Sequence, residues 1–117
     1  MGFIVTCKDK EIWSPSLTTG NLYFEQITSA EKIIGEISGV TNPFDDELEI
    51  EEREFEKFIN ASLRFLQNTN NPALVAMLSG CLEVSLYLNF LITESWLEAP
   101  FELRFLNEKA KAMAGIA

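Results

Sequence analysis

Residues 44–68 read FDDELEIEEREFEKFINASLRFLQN, and the fold turns on whether this stretch is one helix. After Asn42-Pro43 it holds no Gly and no Pro. Leu48, Phe55, Phe58, Ile59, Leu63 and Leu66 recur at spacings of three, four and seven, which places them on one face of an α-helix. Glu and Lys favour helix, so the reading is a single long helix from Phe44 to about Asn68, closed by the loop Asn68-Thr69-Asn70-Asn71-Pro72. Its first turns are crowded with acid: Asp45, Asp46, Glu47, Glu49, Glu51, Glu52, Glu54 and Glu56 stand against one base, Arg53. Eight acids less one base account for seven of the nine net negative charges of the chain.

Working outward, Pro72 opens an apolar run from Ala73 to Thr93. Its length raises the possibility of a membrane span, but Glu83 sits at its centre and no basic flanks set an orientation. The expectation is a core helix with Ser79, Glu83 and Tyr87 as its polar stripe. A last helix is expected from about Pro100 to Ala114, with a strand as the alternative for residues 100–106 because Phe101 to Phe105 alternates. Toward the N-terminus, Phe3 to Cys7 reads as a strand followed by the charged turn Lys8-Asp9-Lys10-Glu11. Gly20-Asn21 then punctuates the chain before Leu22 to Ile27, read as a second strand, and Thr28 or Ser29 caps a short helix that stops at Gly39. The expected architecture is α+β and predominantly helical: an N-terminal two-stranded β-ribbon packed on a three- to four-helix bundle, one domain over residues 1–117.

At 117 residues, 47% of them hydrophobic, the chain is long enough to bury an independent core. Six Gly, four Pro and two Cys exclude collagen-like, disordered and disulfide-scaffold classes. Cys7 and Cys81 match no metal spacing and point to a reducing compartment, and the N-terminus has no basic n-region, so a cytoplasmic location is expected. Met1 to Thr6 fits the loose myristoylation pattern, but the bulky Phe3 suits a strand better and no second membrane signal supports it.

The chain has no histidine. That removes histidine general bases, His-containing zinc sites and Ser-His or Cys-His pairs at one stroke. No phosphate-cradling glycine motif occurs. Asp45, Glu47, Glu49, Glu51 and Glu56 fall at EF-hand spacing, yet Ile50 stands where the loop needs Gly. The expectation is therefore a protein without catalytic residues, metal or cofactor. The acidic run has a plain structural reading, a helix start that complements its dipole followed by a solvated face. Against it, like charges at i,i+4 repel, and a cationic partner would relieve them.

The sharper expectation is thus a binding surface made of Asp45, Asp46, Glu47, Glu49, Glu51, Glu52, Glu54 and Glu56, with Ile50 and Phe44 as apolar anchors, that meets a basic protein and repels nucleic acid and anionic lipid. In size, acidity, lack of histidine and lack of a catalytic signature, the chain resembles as a class the small immunity proteins and antitoxins with which bacteria neutralise toxic nucleases. The resemblance implies occlusion of a toxin's active or substrate-binding surface. Two alternatives are a phage-encoded nucleic-acid mimic and a homo-oligomeric adaptor module, the latter a homodimer in which a second chain completes the apolar arc of residues 74–92.

Overall fold

In the computed structural model, which describes residues 2–115, the chain begins with a hairpin of β1 (Ile4–Cys7) and β2 (Lys10–Trp13). Lys8 and Asp9 turn it with φ of 53° and 63°, the pair of left-handed residues a two-residue hairpin turn requires. Ser16 then caps α1 (Leu17–Ile34) by accepting the Thr19 N–H, and Gly35 closes it in the left-handed conformation. A second hairpin follows, β3 (Val40–Phe44) and β4 (Glu47–Ile50), and leads into α2 (Glu52–Asn68). Asn71 caps α3 (Pro72–Thr93), and a 3-10 turn over Phe101–Leu103 leads into α4 (Arg104–Met113). Met1, Ile116 and Ala117 lie outside the described residues.

The fold is α+β, and its N-terminal ribbon is part of a larger sheet. The strand order is β2-β1-β4-β3, with β1 and β4 parallel and both hairpins antiparallel. Phe3, Val5, Leu48 and Ile50 point from the sheet into the core, where they meet Tyr23 and Ile27 of α1 and Phe55, Phe58 and Ile59 of α2. α3 packs against α1, α2, α4 and β2. By length and composition it could cross a membrane, with a mean hydropathy of 1.7. In this fold Leu78, Leu82, Leu86 and Leu88 are buried core instead.

Three expectations are corrected. The stretch from Phe44 is not one helix: Glu47-Leu48-Glu49-Ile50 alternates with period two and pairs with β1 and β3, so the helix starts only at Glu52. Leu22 to Ile27 is not a strand but the middle of α1, which also absorbs most of the short helix expected from Thr28 or Ser29. Its capping Ser16 starts the helix twelve or thirteen residues earlier than expected. Gly20 is not a break either; it is buried, and a β-carbon there would meet the Phe3 ring at 2.3 Å, so the residue is small because the Phe3 side chain, just before β1, lies directly over it. On the polar stripe of α3, Ser79 is buried and Tyr87 packs edge-on against Trp13. The helix expected from about Pro100 is present, as the 3-10 turn Phe101–Leu103 continued by α4, and the strand alternative for residues 100–106 is not.

An acidic sheet face as the candidate functional site

Only one face of the sheet carries the buried residues; the other is open. Residues paired across neighbouring strands point the same way. The register aligns Glu11, Thr6, Glu49 and Thr41 in one row across β2, β1, β4 and β3, and Ile4, Glu47 and Phe44 in a second row. Standard strand spacings put the Glu47 and Glu49 carboxyl stems roughly 7 Å apart along β4, and Glu11 roughly 10 Å from Glu49 across the sheet. The open face is therefore a lattice of carboxylates interleaved with hydroxyls and two apolar side chains.

Asp45 and Asp46 form the turn at the end of this face and are exposed. The Asn42 side-chain amide pins that turn by donating to the Phe44 and Glu47 carbonyls, and the Ile4 N–H donates to the Asp46 carbonyl at 2.9 Å. Phe44, 66% exposed, stands beside the aspartates. Together with Leu17 and Asn21 at the start of α1 they border a recess of about 630 Å³. Pro43 fits here because β3 is an edge strand, where a missing N–H costs no ladder bond.

The acidic run therefore divides by role. Asp45, Asp46, Glu47 and Glu49 lie on the hairpin and its open face, and Glu56 is exposed on α2. Glu51, Glu52 and Glu54 form the α2 start instead: the Glu51 carboxylate caps the helix by accepting the Glu54 N–H at 2.7 Å. Glu52 pairs with Lys8 at 3.1 Å, and Glu54 packs its stem over Gly39, where a β-carbon would come within 2.8 Å. Gly39 itself sits at φ 76° and its carbonyl accepts the Glu51 N–H at 2.8 Å, which ties the entry of β3 to the first turn of α2. Ile50 is corrected: it does not face outward as an anchor but is 2% exposed in the core, because strand alternation reverses the side a helical wheel assigned to it.

Among the described residues, Lys8 to Glu52 is the only ion pair. Among the described residues the other carboxylates of the run form no ion pair. At the end of β1 the Cys7 thiol is pushed up first by burial and then by Glu52, with Lys8 partly offsetting the rise and Glu51 and Glu49 adding to it. Burial also pushes the Cys81 thiol up to about 12 and the Tyr23 phenol well above its usual range; the Tyr23 hydroxyl lies 2.8 Å from the Ser85 Oγ. These groups are packed rather than reactive. Among the described residues no three carboxylates or thiols converge on a point that could hold a metal ion.

Sequence reasoning missed Glu11, Thr6 and Thr41 as members of this face. Glu11 reads as part of a charged turn, and only the pairing of β1 with β4 some forty residues later brings it into line with Glu49. No curated protein and no solved structure matches the chain. A family model matches residues 1–116, and the chain belongs to that family, described as a family of unknown function (DUF6086).

Proposed function

We propose that this chain is a small acidic binding protein of the cytoplasm, an immunity protein or antitoxin that neutralises a basic toxin, such as a nuclease, by covering its active or substrate-binding surface. The observation that carries the reading is the open sheet face, where Glu47, Glu49, Glu11, Asp45 and Asp46 stand without a cationic partner in the chain among the described residues. Carboxylates set several ångströms apart on a stiff sheet suit separate lysine and arginine side chains. Phe44 adds an exposed aromatic ring on which a guanidinium can stack. A cationic cleft of the kind that holds nucleic acid would be drawn to this field and slowed from leaving by the rigid scaffold.

The role is one of binding and not of catalysis. Glu51, Glu52 and Glu54 support it indirectly, by holding the hairpin against α2. Affinity capture from the native cell at low salt tests the reading, with co-expression of the captured partner as the second arm. The expected result is a basic protein that arrests growth alone and is tolerated when this chain is present. Capture of no basic protein, or a captured partner whose activity this chain leaves untouched, would contradict it.

A further inference from the structure

The side of α1 turned away from the core carries a pattern that the acidic face does not use. Leu22, Gln26, Ser29 and Ile33 follow at steps of four, three and four, and all are exposed, Leu22 at 53% and Ile33 at 45%. They form one wall of an open groove of about 360 Å³ whose other wall is α3, where Met77 is 70% exposed. That stepping matches the spacing of seam positions in a two-helix coiled coil, with Leu22 and Ile33 apolar and Gln26 and Ser29 polar between them.

We propose that the groove is filled by a second copy of this chain, the two α1 helices lying antiparallel across a two-fold axis. Charge selects both the occupant and its direction. Glu25 and Lys32 lie seven residues apart on one edge of the seam, exposed and outside the chain's one ion pair among the described residues. In an antiparallel pair like edges face each other, so Leu22 meets Ile33 of the second copy, Gln26 meets Ser29, and each Glu25 reaches the opposite Lys32. A parallel pair would need the other edge, but Tyr23 and Ala30 there are buried in the core. A self-complementary surface with one acid and one base on either side of the dyad is what an isologous contact requires. The acidic hairpin borders α1 at Leu17 and Asn21 instead, so this contact and the acidic face can be occupied together.

Sedimentation equilibrium of the full chain from about 1 to roughly 100 µM tests the proposal. The expected result is a reversible dimer that Glu25→Lys and Lys32→Glu each weaken by roughly tenfold, since either change sets two like-charge contacts across the dyad. The double variant, Glu25→Lys with Lys32→Glu, is expected to restore it, an outcome that general loss of structure cannot imitate. A wild-type chain monomeric through that range, or a dimer that the double reversal fails to restore, would overturn the proposal. Dimerisation does not depend on a basic partner, so its failure leaves the reading of the acidic face standing.

Discussion

Phe3 rests its ring directly on the α-carbon of Gly20, so close that a β-carbon at that position would fall 2.3 Å from the ring. Both residues are buried, and the contact fixes how the strand layer meets α1. Gly20→Ala is therefore expected to destabilise the fold by about 2 kcal/mol through overpacking, a loss of roughly 10 °C in Tm for a domain of this size. Phe3→Leu in that background is expected to recover part of the loss. Thermal denaturation of the single and double variants checks it; a Gly20→Ala protein as stable as wild type would show that the layer spacing is not set here.

That contact also explains where the sequence misleads. Gly20 reads as punctuation when only neighbours in the chain are considered, and the aromatic run after it then looks like a strand. The long-range contact with Phe3 is what makes Gly20 compatible with the inside of a helix. The elements carried by local signals were legible: β1 from its β-branched residues, α3 from Pro72 and its unbroken apolar run, α4 from Pro100 and its terminal lysines. The β3–β4 hairpin was not, because glutamate favours helix and Leu48 happens to fit the helical stripe of α2 as well as the inward side of a strand. As a result the acidic residues were found but their arrangement was not.

The β1–β2 turn carries strain that a substitution can release. Asp9 sits at φ 63° without being glycine, a conformation that costs an L-residue about 1 kcal/mol. Asp9→Gly is expected to raise stability by roughly 0.5–1 kcal/mol, whereas Asp9→Val should lower it by more than that. Urea unfolding midpoints at unchanged slope would register both shifts.

Glu83 is half-buried on α3, and desolvation raises its carboxyl above the ordinary 4.5 while Lys109 on α4 partly offsets the rise. Folding thus favours the protonated form. Its favourable contribution is complete below about 4.5 and is lost as pH climbs through the raised folded value. Glu83→Gln should therefore stabilise the protein at neutral pH and change little in acid, and removing Lys109 should widen the gap between the two. Unfolding curves across pH 3–7 test the sign; a Gln variant with the same pH slope as wild type would refute it.

The division of the acidic run predicts two kinds of mutant. Glu51→Ala removes the cap on Glu54 and is expected to cost about 1 kcal/mol of stability, with Glu51→Asp retaining most of it. Glu49→Lys lies on the open sheet face and is expected to leave stability within about 0.5 kcal/mol. Equal losses in the two would mean that the run is structural throughout.

The most direct measurement is the association rate of the captured basic partner with wild-type protein and with the fourfold variant Asp45→Lys, Asp46→Lys, Glu47→Lys and Glu49→Lys, at low and high salt, with circular dichroism confirming the fold. The predicted result is a fall in association rate by roughly tenfold or more and loss of most of the salt dependence. A folded variant that binds the same partner as fast and as tightly as wild type would contradict the assignment of the acidic sheet face as the recognition surface.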